Sequence, residues 1–208
     1  RNMIIDNAGE SAMQLGQAIV AKLDGDALSG WQTKEDAQKE TYIEAKTQIH
    51  TYGELSGARY IYVLKTKPTG GYTLVMEMNA NGKEGILGDD VTDDYEGYRL
   101  AAAGKAHVDG EPTIDDYGVL ISAYVPILDS KGATVAFLGV DYDIAKEYNG
   151  SVALRNSILW TTLLVILFGV VFTGLVSYSL VKPIKKMTLE AERIASRDIS
   201  GQPMAMKR

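Results

Sequence analysis

The chain has 208 residues, no cysteine, and 27 acidic against 21 basic residues, a net charge of −6. Without cysteine there is no disulfide, no thiolate chemistry and no cysteine-held metal, and an acidic outer part repels polyanions, which excludes a nucleic-acid surface. The first 150 residues carry enough aliphatic and aromatic side chains for one globular domain with a modest core.

In chain order, Met3, Ile4, Ala8, Ala12, Leu15, Ala18, Ile19 and Leu23 recur at threes and fours, which predicts a helix that buries one stripe and stops at Asp24, Gly25 and Asp26. A second helix is expected from Thr33, as N-cap with Glu35 and Asp36 in its first turn, to about Leu55, with Ser56 and Gly57 ending it. The chain starts at Arg1, and its first thirty residues hold no apolar run long enough to target a membrane. If the domain is exported, an earlier segment is expected to export it, the simplest being a first transmembrane helix ahead of Arg1.

Tyr60–Thr66 and Tyr72–Met78 read as strands joined by a hairpin connection of Lys67, Pro68, Thr69, Gly70 and Gly71. A long excursion over Asn79–Gly118 follows, with a turn at Asn81-Gly82, acidic pairs Asp89-Asp90 and Asp93-Asp94, and a short helix near Tyr95–Ala103. It reads as a lid. Val119–Leu128 and Thr134–Asp141 form a second hairpin about Asp129, Ser130, Lys131 and Gly132. Helices followed by antiparallel strands give an α+β class.

From Ile158 to Val181 there are 24 residues without a charge, fifteen of them Leu, Ile, Val or Phe. At about 1.5 Å per residue this helix is roughly 36 Å long, enough to cross a hydrocarbon core of about 30 Å. At roughly 0.3 to 0.6 kcal/mol for each of those fifteen, insertion is favoured by about 5 to 9 kcal/mol. Lys182, Lys185 and Lys186 crowd the C-terminal flank against Arg155 on the other. The positive side stays in the cytoplasm, so residues 1–150 lie outside it. In the tail, Ile184, Met187, Ala191 and Ile194 share one helical stripe, which suits a parallel bundle with a second copy better than a basic helix lying on lipid.

The residues now carry a resemblance. The two N-terminal helices, the paired hairpins around a lid, and above all Tyr117-Gly118-Val119-Leu120-Ile121-Ser122-Ala123-Tyr124-Val125-Pro126-Ile127 followed by Leu138-Gly139-Val140-Asp141 resemble a single Cache domain, the PAS-like extracytoplasmic sensor of bacterial receptors. Lys182-Pro183-Ile184-Lys185-Lys186-Met187, Glu190-Ala191-Glu192-Arg193-Ile194-Ala195 and Asp198-Ile199 are similar to the first helix of a HAMP linker, with Arg197 where glycine is common. The resemblance implies a sensor domain over 1–150, a transmembrane helix with its lead-in over 151–181 and a partial HAMP linker over 182–208, in the manner of methyl-accepting chemotaxis proteins. A homodimer and cytoplasmic signalling partners reached through residues beyond Arg208 follow as expectations. The input half of a sensor histidine kinase or of a cyclic-dinucleotide enzyme, and a membrane-tethered structural or interaction domain, stay open beside it.

No catalytic constellation emerges. His50 and His107 lack metal-ligand partners at a recognisable spacing, the acidic pairs lack calcium-loop spacing, and there is no phosphate loop or nucleophile elbow. Neither a cofactor nor a metal is expected. Strand alternation supplies a pocket instead: if Ile61 and Val63 pack on the helices, Tyr60 and Tyr62 face the lid, and Ser122 and Tyr124 likewise oppose Ile121 and Ala123. The resemblance implies that Asp141 holds a ligand amine, with Tyr98 and Arg99 closing over it. The expected partner is a small molecule: an amino acid, an amine or an organic acid.

Overall fold

The computed structural model describes residues 3–80 and 82–198. These divide into two compact units, Arg1–Gly150 and Ser151–Arg208.

In the first unit, α1 (Met3–Val20) buries Gly9, Ala12, Gly16 and Ile19, a stripe at threes and fours. Its glycines let it lie close to the sheet: a Cβ at Gly16 would sit 2.9 Å from Val125 Cγ2. The helix ends three residues before the expected Leu23. Asp24 does stop the pattern, but it also starts a new helix, since its carboxylate accepts the N–H groups of Asp26 (2.9 Å) and Ala27 (3.1 Å) and caps α2 (Gly25–Ser29). Lys65 Nζ reaches back to that helix end, donating to the carbonyls of Leu28, Ser29 and Trp31.

The expected helix over 33–55 is interrupted. Thr33 begins a 3₁₀ turn over Lys34–Gln38, held by Asp36 accepting the Thr33 and Gln32 N–H groups, and Lys39 then adopts an extended backbone. Only after it does α3 (Glu40–Ser56) start, ending at Gly57 with φ +73°. That left-handed position is one glycine occupies without strain.

The sheet is antiparallel, in the order β3-β2-β1-β7-β6-β4, with β5 also pairing β6. Its strands are β1 (Tyr60–Thr66), β2 (Tyr72–Asn79), β3 (Asp90–Val91), β4 (His107–Val108), β5 (Thr113–Asp115), β6 (Gly118–Leu128) and β7 (Thr134–Asp143). The 79–118 excursion is thus only partly a lid. It carries α4 (Glu96–Ala102) and also supplies the short strands at both sheet edges.

One sheet face packs on the helices through Ile61, Val63, Val75, Met76, Ala123, Leu138 and Val140, with Ala12, Ile19, Ala45 and Ile49 opposite. Val75 and Met76 both turn to this side because the β1–β2 register slips there, leaving one extra residue in β2. Tyr42 Oη of α3 donates to the Val75 carbonyl at 2.9 Å, which satisfies an acceptor at the bulge. The other face carries a smaller cluster of Leu64, Tyr72, Leu74, Tyr98, Ala101, Tyr124 and Phe137, covered by α4.

The second unit is helical. α5 (Ala145–Val176) passes through a π turn at Ser177–Val181 into α6 (Lys182–Asp198). Pro183 follows closely on the π turn, inside a helix that continues from α5, and its missing N–H removes one backbone hydrogen bond from the ladder there. Apolar side chains project on all sides of the stretch, including Trp160, Leu163, Ile166 and Phe168, and it is long and apolar enough to cross a membrane. Asn81 of the expected turn and Ile199 of the Asp198-Ile199 pair lie outside the described residues.

The α+β class, with N-terminal helices on an antiparallel sheet and a long apolar C-terminal helix, is therefore as the sequence led one to expect.

Candidate functional site

On the sheet face away from α1 and α3, a cavity of about 210 Å³ opens beneath α4. Register explains its walls. In antiparallel pairs opposed residues share a face, so the pairings Tyr60↔Asp141 and Ser122↔Asp141 put one row across three strands, and Tyr62↔Gly139 and Tyr124↔Gly139 put the next. Gly139 is required there, since a Cβ on it would lie 2.3 Å from the Tyr62 ring.

Six of the seven expected site residues line the cavity: Tyr60, Tyr62, Tyr98, Ser122, Tyr124 and Asp141. Arg99 does not. Its side chain is half exposed and forms an ion pair with Asp94 at 2.9 Å, because α4 turns Tyr98 and Ala101 toward the sheet and so directs the intervening residue outward.

Asp141 is the chemical centre. It is 6% exposed, accepts a hydrogen bond from Tyr62 Oη at 3.4 Å, and burial pushes its carboxyl up to about 7, opposed by the Ser122 hydroxyl and the Tyr62 hydroxyl and reinforced by Asp109 and Asp115. Tyr62 Oη also receives a bond from Tyr98 Oη at 3.3 Å. Burial raises the phenols of Tyr62, Tyr98 and Tyr124 well above their ordinary value, so all three stay neutral donors. Tyr124 Oη donates to Asp109, whose carboxyl burial likewise raises.

The sequence reading missed a second acidic group at the mouth. Asp115 accepts from Tyr95 Oη (3.0 Å) and from the Tyr117 N–H (2.8 Å), and Asp93 lines the same region. Glu77, Asp89 and Asp90 complete the acidic lining. Of the two acidic pairs, Asp89 and Asp90 both line the cavity, Asp90 being exposed and paired with Lys67, whereas of the second pair only Asp93 lines it and Asp94 is exposed and paired with Arg99. Glu77 shares a face with Tyr62 only because the bulge at Val75 shifts the alternation of β2 by one residue, so it was not legible from the strand pattern. Nor were Asp93 and Asp115, since loop paths and a three-residue edge strand bring them in.

Among the described residues no Lys, Arg or His lines the cavity. The histidines sit elsewhere, His50 paired with Glu84 at 2.9 Å and His107 beside Asp109 at 3.5 Å. The described residues contain no group of three or more side chains suited to a metal.

No family model matches the chain, and no curated protein matches it. Among solved structures it aligns with the ligand-binding domain of Campylobacter jejuni chemoreceptor Tlp3 in complex with 4-methylisoleucine, at 16% identity and TM-score 0.46 over 67% of this chain and 58% of that one. It aligns with the periplasmic sensory domain of Campylobacter jejuni chemoreceptor Tlp1 at 15% identity and TM-score 0.45, over 66% and 54%. A third is the extracellular domain of a protein designated histidine kinase mmHK1S-Z2, at 20% identity and TM-score 0.40, over 67% and 59%. The aligned region spans less than two thirds of each of those chains. The solved structures this chain resembles are thus sensory domains of receptors, and in this chain a helix of transmembrane character follows the sheet.

Proposed function

We propose that this chain is the sensing and membrane-spanning part of a signal-transducing receptor, a Cache-like domain outside the cytoplasm that binds a small amine and reports through its membrane helix. The observation that carries the reading is Asp141: a buried carboxylate, walled by neutral tyrosine hydroxyls, facing a cavity with no basic side chain among its described lining residues. A buried carboxylate without a counter-charge is costly, and a bound ammonium group relieves that cost. The same lining disfavours the organic acids that the sequence left open beside amines and amino acids.

Signal output follows from chain order. β7 carries Asp141 and Gly139 and ends at Asp143, with only Ile144 before α5. A ligand that binds one arrangement of β7 more tightly than another shifts the population between them, and the shift passes along the chain to the span. α6 exposes Ile184 and Met187 on the stripe expected for a parallel bundle, so a homodimer is the working form. Chemotaxis is the leading output, and a sensor kinase uses the same input.

The test is thermal melting of the full chain in lipid nanodiscs against amines, amino acids and organic acids. An amine at 100 times its dissociation constant should add about 2.7 kcal/mol to stability, and Asp141→Asn should abolish the shift. If no compound moves the transition, or if Asp141→Asn responds like the parent, the reading fails.

A further inference from the structure

We infer that the cavity is built for an elongated ligand with a cationic nitrogen at each end, a linear diamine or polyamine. The inference rests on reading the cavity as an amine site.

The carboxylates fall into two stations. The inner one is Asp141, beside Tyr62 Oη and opposite Ser122 across the β6–β7 ladder. The outer one is Asp115, held by Tyr95 Oη and the Tyr117 N–H, together with Asp93. Asp141 pairs with Ser122 and Asp115 pairs with Gly118, four residues apart on the same face of β6. At about 3.3 Å per residue the two stations are about 13 Å apart along the strand at their backbones.

Between them the wall changes character. Leu120, midway on β6, is 4% exposed and lines the cavity, and Tyr60 and Tyr117 stack edge to face at 6.0 Å over the same stretch. An anionic end, an apolar and aromatic middle and a second anionic end match two ammonium groups joined by methylenes, with the rings also able to face a cation. Of the remaining acidic lining, Asp90 has a counter-charge in Lys67 (2.9 Å), while Glu77 and Asp89 accept the Gly85 N–H (2.6 Å) and the Ile86 N–H (2.8 Å). The negative field at the mouth registers on Tyr117, whose phenol Asp93 raises ahead of any other cause. An α-amino acid would set its own carboxylate in this field with no basic side chain to receive it.

The experiment is isothermal titration of the full chain in nanodiscs at pH 8 with the α,ω-diamines from 1,3-diaminopropane to 1,6-diaminohexane, butylamine, pentylamine and 4-aminobutanoate. The best diamine should bind at least about tenfold tighter than a monoamine of equal length, about 1.4 kcal/mol, with 4-aminobutanoate weaker than the monoamine. Asp93→Asn/Asp115→Asn should bring the diamine down to the monoamine's affinity and leave the monoamine within about twofold. Asp93→Asn alone removes one outer charge and leaves the bonds from Tyr95 and Tyr117 to Asp115 in place, so it serves if the double variant does not fold. Equal binding of monoamines and diamines, or an outer variant without effect, overturns the two-ended ligand and leaves the amine site standing. Failure of every amine to bind overturns the amine site itself.

Discussion

Asp141 concentrates the energetics of the site in one carboxyl group. Its ordinary value is 3.8 and burial takes it to about 7 in the folded chain, so between those values the folded protein holds a proton that the unfolded chain gives up. Its contribution to stability is then full below about pH 4 and lost as pH rises through about 7. At about 1.36 kcal/mol per pH unit the interval amounts to ~4 kcal/mol at most. Asp141→Asn keeps the neutral shape at every pH, so the variant should be more stable than the parent at pH 8 by up to that amount, with the difference vanishing near pH 4. Urea unfolding at the two pH values measures this, and a constant offset would contradict it. For the parent, affinity for an ammonium ligand should climb from pH 5 to pH 8 as the carboxyl ionises.

Helix α4 has only seven residues, yet it closes the site because aromatic contacts hold it down. The Tyr98 ring meets Tyr62, Tyr72, Tyr95, Tyr124 and Phe137 with centroids 5.2 to 6.1 Å apart, and such pairs contribute about 0.5 to 1.5 kcal/mol each beyond area burial. The helix lies this close because residue 97 is glycine, where a Cβ would fall 2.0 Å from the Tyr124 ring. Gly97→Ala should therefore lift α4 from the sheet, lower stability by about 1 to 3 kcal/mol and weaken ligand binding more than about tenfold. Arg99→Ala on the outer side of the same helix should leave affinity within about twofold. A calorimetric comparison of the two variants decides this, and a large loss in Arg99→Ala would restore that arginine to the site. The resemblance implied that Arg99 closes over the ligand with Tyr98, but neighbours on a helix point about 100° apart, and Arg99 pairs with Asp94 on the outer side.

At the scale of the whole molecule, the two units expose different surfaces. The first unit buries its apolar residues between helices and sheet, whereas the second exposes Leu164, Leu167, Phe168 and Val171 among many others, an arrangement that suits hydrocarbon. A charge in mid-span should cost about 2.5 to 3.5 kcal/mol of insertion. Leu167→Lys should thus release a measurable fraction of the chain from membranes under alkaline extraction, while Lys185→Leu on the flank should not. Equal extraction of the two variants and the parent would count against α5 as the span.

Some of this was written in the order of the residues alone. A run of 24 uncharged residues is long enough to cross an apolar layer as one helix, and the period-two alternation of β1 and β6 puts Tyr60, Tyr62, Ser122 and Tyr124 on one face. What the sequence could not decide depends on register and on paths through space. The bulge at Val75, the break at Lys39, and the meeting of Asp93 from a loop with Asp115 from an edge strand each follow from contacts between segments distant in the chain. Local periodicity records which way a side chain points and not what it meets there. The tyrosine wall around Asp141 was therefore legible in the sequence, while the acidic mouth of the cavity was decided only by the tertiary fold.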